Sequence, residues 1–155
     1  MDLLHIWILG ITGIVIAVIV MERIMLRRSV LHQVFLSEEE FTSQWEAFLK
    51  HKEESGCYAI FFYDKPINPH SIAQRKRYKT LYIGQSKDIF YRVHEHFAGR
   101  GSEGAMRLIT HGVPAYAVFL PAGLWHLNDY ETKLIRAFKA NKIGLNIQRG
   151  GGQRR

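Results

Sequence analysis

Residues Leu3 to Met21 read LLHIWILGITGIVIAVIVM, and His5 is their only titratable side chain. As an α-helix rising about 1.5 Å per residue, this run spans roughly 28 Å, close to the ~30 Å hydrocarbon core of a bilayer. A surface helix of a soluble domain is apolar on one stripe, whereas this segment is apolar all round. Its Ile and Val content is no obstacle in lipid, where the backbone has to satisfy itself as a helix. A cleaved signal peptide needs a basic leader and a shorter apolar run ending in small residues. Here the first charge is Asp2, and the run ends at Met21-Glu22-Arg23. The expectation is one transmembrane helix over Leu3 to Met21, with Trp7 and His5 at the outer interface.

The flanks set its direction. Arg23, Arg27 and Arg28 follow the run, and Lys and Arg are absent from Met1 to Met21. The bias of positive charge toward the cytoplasmic side predicts an outer N-terminus and a cytoplasmic remainder, at the inner membrane if the cell is bacterial. The 155 residues carry a net charge of +7, all of the basic charge lying beyond the apolar run. Such a surface favours an anionic partner, nucleic acid or anionic lipid. Cys57 is the single cysteine, which excludes an internal disulfide and a cysteine-based zinc site.

Ile24 to Leu36 continues apolar residues at helical spacing, and Ser37-Glu38-Glu39-Glu40 has the form of a capping box. Phe41, Trp45, Phe48 and Leu49 then share one helix face to about Lys52. Four segments follow: an anchor over residues 1–22, a basic and amphipathic helical linker over 23–55, a folded domain over 56–148, and a disordered basic tail over 149–155.

Within the domain, Cys57 to Tyr63 (CYAIFFY) and Thr80 to Ile83 read as strands paired antiparallel. Pro66 to Lys79 would be an enlarged connection, and its Arg75, Lys76 and Arg77 would grip phosphate. Lys87, Arg100 and Arg107 would extend that nucleic-acid surface. Ser86 is positioned to cap a helix from Lys87 to Phe97, on which Arg92 and His96 share a face at i, i+4. Ala98 to Ser102 (AGRGS) reads as a flexible loop, and a short helix follows to about His111. Val113 to Leu120 reads as a third strand and Leu124 to Asn141 as a second long helix carrying Glu131. Leu145-Asn146-Ile147 closes the domain as a short extended piece.

Gly56-Cys57-Tyr58, Tyr82-Ile83-Gly84, Arg92, His96, Glu131 and Leu145-Asn146 occur in the order of the GIY-YIG nuclease family. Ser86-Lys87-Asp88 and His96-Phe97 resemble its homing-endonuclease branch in particular. The resemblance covers about Gly56 to Ile147. It implies an α+β fold, a three-stranded antiparallel sheet flanked by helices, and hydrolysis of nucleic-acid phosphodiesters, DNA above all. It also implies that Glu131 holds one divalent metal, Mg²⁺ or Mn²⁺, a hard-oxygen task that one carboxylate can perform with water and phosphate. Tyr58 would take a proton from the attacking water, for which a phenol of pKa near ~10 needs positive charge beside it. Tyr82 would orient water or phosphate. Arg92 offers a planar fork for the scissile phosphate, and His96 would move a proton. Asn146 would hold the geometry across the site. Gly84 would let the backbone approach closely or turn tightly, and Gly56 would serve a turn.

Three departures accompany the resemblance. Cys57 replaces the middle isoleucine, a swap between small apolar groups. The gap between the tyrosine motifs is longer than in compact members. No separate DNA-recognition segment follows Asn146, so the expected binding is backbone-driven and weakly sequence-specific. The expected function is a membrane-anchored endonuclease acting on incoming phage or plasmid DNA. The alternative is a non-catalytic, membrane-tethered nucleic-acid-binding module.

Overall fold

A computed structural model describes residues 3–51 and 53–146. The tail over 149–155, Ile147 and Lys52 lie outside the described residues. Helix α1 (Leu3–Leu31) runs without a break through the expected boundary at Glu22. It is long and apolar enough to cross a membrane, and its residues from Trp7 to Met25 stand exposed. Its last turn does not: Val30 and Leu31 are buried in the domain's core.

The domain is α+β, built on one antiparallel sheet of four strands in the order β1-β4-β2-β3. These are β1 (Leu36–Ser37), β2 (Gly56–Phe62), β3 (Thr80–Ser86) and β4 (Ala115–Pro121). The fourth strand corrects the expected three. Leu36 and Ser37 pair with Ala117 and Tyr116 immediately before the helix that Ser37 caps. The capping box itself is present: Glu40 N donates to Ser37 Oγ at 3.2 Å, and Ser37 N donates to Glu40 Oε2 at 2.9 Å. The helix it opens is shorter than expected. It breaks at Gln44 into α2 (Glu38–Ser43), α3 (Trp45–Phe48) and a 3₁₀ turn over Leu49–His51.

Central strand β2 is buried at every position, so its side chains feed two cores. Cys57, Ala59 and Phe61 pack with Leu81, Ile83, Leu134, Phe138 and the end of α1. Tyr58, Ile60 and Phe62 pack with Phe41, Ile89, Val93 and Phe97. Side chains from residues 30–41 therefore pack into the domain. Val30, Leu31 and Phe35 complete the first core, and Phe41 completes the second. Burying a side chain of this size contributes about 1.5–3 kcal/mol.

The remaining helices are α4 (Ile72–Arg75), α5 (Ile89–Phe97), α6 (Glu103–Thr110) and α7 (Leu127–Phe138). The cap of α5 is Asp88 rather than Ser86: its carboxylate accepts from Tyr91 N at 3.0 Å, while Ser86 Oγ accepts from Asp88 N at 3.1 Å. Leu124–His126 is a 3₁₀ turn leading into α7, which stops at Lys139 in the left-handed conformation (φ 53°). Strand β3 is one edge of the sheet. The first core covers one face with α1 and α7, and α5 and α6 cover the other.

Candidate active site

Tyr58, Tyr82, Arg92, His96 and Glu131 gather about strand β3, from both faces of the sheet. Tyr58 on β2 and Tyr82 on β3 point to the α5 face, with ring centroids 6.2 Å apart. From α5, His96 meets both tyrosines. Its Nε2 lies 2.9 Å from the Tyr58 hydroxyl, and its ring centroid is 5.0 Å from that of Tyr82. Tyr58 is 1% exposed and His96 0%, whereas Tyr82 and Arg92 are half-buried and border solvent. Arg92 Nη1 donates to Glu95 Oε2 at 2.9 Å. Glu131 sits on α7, on the other face, where Gln85 Nε2 donates to its Oε2 at 2.9 Å and also reaches Asn128 Oδ1. Strand alternation places Gln85 on the α7 face beside Tyr82 on the α5 face, so the carboxylate and the phenol flank one strand edge.

Asn146 seals that edge. Its Oδ1 accepts from Ile83 N at 2.9 Å, and its Nδ2 donates to Ile83 O at 2.6 Å. A primary amide thus does what a neighbouring strand would do. Leu145 N donates to Leu81 O at 2.8 Å in the same manner.

Close approach dictates both motif glycines, the first of the two roles expected of Gly84 and a different one from the turn expected of Gly56. A Cβ on Gly84 would press against the Tyr58 hydroxyl and lie 2.5 Å from its Cζ, so the second motif leaves room for the tyrosine of the first. A Cβ on Gly56 would lie 2.5 Å from the Leu120 carbonyl oxygen across the sheet. The expected flexible loop over Ala98 to Ser102 contributes too. Gly101 lies against His96 Nδ1 so closely that a Cβ there would overlap the ring. That nitrogen is buried and finds no hydrogen-bond partner among the described residues.

Burial sets the proton affinities. It pushes the Tyr58 hydroxyl well above the ordinary phenol value, an effect that the Tyr82 phenol adds to and the Arg92 guanidinium opposes. Tyr82 is raised by burial and by the Glu131 carboxylate, again against Arg92. Burial, with Arg92 beside it, lowers His96 to about 4. At neutral pH the pair is therefore a neutral phenol against a neutral imidazole. Cys57, behind the site, is pushed up to about 12 by burial and then by Glu131, which leaves it an inert thiol.

The cationic residues divide. Arg75 does not face solvent: it is 8% exposed, and its guanidinium lies 4.9 Å from the centroid of the Phe35 ring. Its Nη1 donates to Leu31 O and Gln33 O at 2.8 Å, and its Nε to Pro69 O. Its place in the expected phosphate grip is corrected accordingly: its donors tie the end of α1 to the 66–79 connection. Lys76, Arg77, Lys87, Arg100 and Arg107 are exposed. Lys87 lies just before α5 and Arg100 just after it. Lys76 and Arg77 precede β3 at the end of the sheet away from Gln85, and Arg107 pairs with Glu103 at 3.2 Å.

Among the described residues no three His, Cys, Asp or Glu side chains converge into a metal cage. The oxygen donors beside Gln85 are the Glu131 carboxylate and the Asn128 amide oxygen one turn before it. That fits Mg²⁺, which keeps most of its waters and takes one or two protein oxygens beside phosphate. Gln85 and Gly101 are the positions that sequence reasoning missed. Strand alternation could have placed Gln85 on the Glu131 face, but nothing local marks Gly101 as a contact of His96.

Comparison of the chain with models of protein families, with curated proteins and with solved structures finds no match.

Proposed function

We propose that the protein is a membrane-anchored, metal-dependent nuclease of GIY-YIG type that hydrolyses DNA at the cytoplasmic face of a bilayer spanned by α1. The observation that carries this reading is the convergence of Tyr58, Tyr82, Arg92 and His96 on one side of the β3 edge with Glu131 on the other. These groups come from four elements far apart in sequence, and Asn146 stabilises the edge they share.

In this reading Arg92 and Tyr82, which border solvent, bind the scissile phosphate and orient the attacking water. The water's oxygen bonds to phosphorus as the bond from phosphorus to the leaving oxygen breaks. The water's proton passes to the Tyr58 oxygen, Tyr58 passes its hydroxyl proton to His96 Nε2, and the departing oxygen takes a proton from solvent. The relay leaves no phenolate in the buried site. An anionic phosphate bound at Arg92 offsets the guanidinium charge that helps to depress His96, and so raises the imidazole's proton affinity. Glu131 would hold the divalent ion, Mg²⁺ or Mn²⁺, which would supply positive charge where the phosphoryl oxygens gain negative charge. Exposed Lys87 and Arg100 bind the DNA backbone without reading sequence. Incoming phage or plasmid DNA is the substrate that such an anchored, weakly specific enzyme would meet.

The test uses the full-length chain in detergent micelles with supercoiled plasmid and Mg²⁺ or Mn²⁺. Nicking or linearisation is expected, with a loss of about 10²-fold or more in Glu131→Ala. Wild-type protein that binds the plasmid but leaves it intact with either metal would instead be the non-catalytic tether. A reporter fused after Arg155 is expected inside the cell; its appearance outside would reverse the topology.

A further inference from the structure

Among the described residues, the buried side-chain polar atoms without a hydrogen-bond partner are His96 Nδ1 and Ser102 Oγ. The chain brings the two residues together. A Cβ on Gly101 would overlap His96 Nδ1, so the Gly101 Cα lies against that nitrogen. The Cα of Ser102 is about 3.8 Å further along the chain. Ser102 also borders Tyr82: burial raises the Tyr82 phenol, and the Arg92 guanidinium and the Tyr58 and Ser102 hydroxyls act on it in the opposite sense. Ser102 precedes α6 at the position from which a serine ordinarily accepts from the first-turn N–H groups, yet its side chain makes no such bond. Its hydroxyl is buried beside Tyr82 instead.

In the proposed relay His96 Nε2 accepts the Tyr58 proton. It can do so only if the ring already carries a hydrogen on Nδ1, which then stays there in the neutral imidazole and in the cation alike. An N–H closed off from solvent costs free energy unless an acceptor meets it. Nε2 is engaged by Tyr58, Arg92 on the same helix is a donor only, and no carboxylate bonds to the ring among the described residues. A hydroxyl can accept and donate at once. We infer that Ser102 is a positioning residue of the site: once a DNA phosphate accepts from the Tyr82 hydroxyl, Ser102 Oγ accepts from His96 Nδ1–H and donates to the Tyr82 oxygen. This rests on the nuclease reading. The serine keeps its own proton throughout. One bond holds His96 in the tautomer that receives from Tyr58, and the other turns the Tyr82 O–H toward phosphate and water. Closing them takes a rotation of the Ser102 side chain and a small shift of the segment between Gly99, at φ 74°, and α6.

The test compares the full-length wild type with Ser102→Ala and with Ser102→Thr, which keeps a hydroxyl, in detergent micelles. With supercoiled plasmid and Mg²⁺, Ser102→Ala is expected to lose about 10- to 100-fold in kcat at unchanged KM, and Ser102→Thr to stay near wild type. A rise in KM at unchanged kcat makes Ser102 a DNA contact and overturns the inference. An equal loss in Ser102→Thr, or no loss in Ser102→Ala, overturns it as well. A second readout needs no cleavage: the ¹⁵N shifts of the histidine rings at pH 7 with a short DNA duplex and a chelator, His96 being assigned from His96→Gln. In the wild type and Ser102→Thr, Nδ1 is expected to show the shift of a protonated ring nitrogen and Nε2 that of a bare one. In Ser102→Ala the two should average or exchange. The same tautomer in wild type and Ser102→Ala overturns the inference. Wild-type protein that binds the duplex but leaves plasmid intact defeats the nuclease reading, and the shifts still decide the role of Ser102. Protein that neither binds nor cuts DNA defeats both.

Discussion

The hydroxyl of Tyr58 and the Nε2 of His96 lie 2.9 Å apart, inside a pair of side chains from which solvent is almost wholly excluded. One residue is on the central strand and the other on the last turn of α5, so the bond joins the sheet to the helix that covers it. It also has a pH signature.

His96 is lowered from 6.5 to about 4. A histidine kept neutral in the fold takes up a proton in the unfolded chain first. Its contribution is fully present above about pH 6.5 and is lost as pH falls toward 4. At ~1.4 kcal/mol per unit, roughly 3 kcal/mol is at stake. Thermal melts between pH 7 and 4 should show a steeper loss of stability in the wild type than in His96→Gln, whose amide does not titrate. Equal slopes in the two proteins would show that His96 does not carry the effect.

Gly84 should couple to Tyr58. The methyl of Gly84→Ala meets the phenol ring, so the variant is expected to lose about 1–3 kcal/mol through overpacking. Tyr58→Leu removes the obstructing ring at its own cost. The double variant should be more stable than the sum of the two losses predicts, which a denaturation cycle of the four proteins measures. Strict additivity would contradict the close approach.

Arg75 and Lys87 should separate folding from binding. Arg75→Met strands three carbonyls that accept from the guanidinium, and is expected to cost about 3 kcal/mol without changing the salt dependence of DNA binding. Lys87→Ala is expected to leave stability within about 0.5 kcal/mol and to reduce the slope of log affinity against log salt by about one. Salt titrations of DNA binding, paired with melts, distinguish the two outcomes.

Arg75 also marks where sequence reading stops. Arg75, Lys76 and Arg77 form one basic run, and which of them turns inward depends on the phase of the one-turn helix α4, set by packing on Phe35 and α1. The strands that carry Tyr58 and Tyr82, their antiparallel pairing and the apolar stripes of α5 and α7 were legible, because each follows from local periodicity. Strand β1 was not legible, since two residues before a cap have no period and exist as a strand only through β4. Nor was the role of Val30 and Leu31, because an apolar residue reads the same whether it meets lipid or a core.

That role bears on any attempt to work with the soluble part alone. A chain starting at Ser37 lacks Val30, Leu31 and Phe35 from the first core and the two carbonyls, of Leu31 and Gln33, that receive Arg75. Their loss removes several kcal/mol from a domain whose total stability is of order 5–15 kcal/mol. The shortened chain is expected to melt well below the full-length protein or to aggregate. A chain starting at Arg23, which keeps the packed end of α1, should fold; equal melting of the two would contradict the core assignment.

On the proposed reading of Glu131 as metal ligand, Gln85 should tune the metal without touching substrate. Its Nε2 donates to Glu131 Oε2 at 2.9 Å and holds the carboxylate against β3. Gln85→Leu keeps the strand and much of the side-chain volume but releases that oxygen. Partners that orient a metal ligand are typically worth 10- to 100-fold in metal affinity. The concentration of Mg²⁺ giving half-maximal plasmid cleavage should therefore rise by about that factor, while the rate at saturating Mg²⁺ stays close to wild type. A fall in the saturated rate with no change in the Mg²⁺ requirement would place Gln85 among the groups acting on DNA rather than behind Glu131.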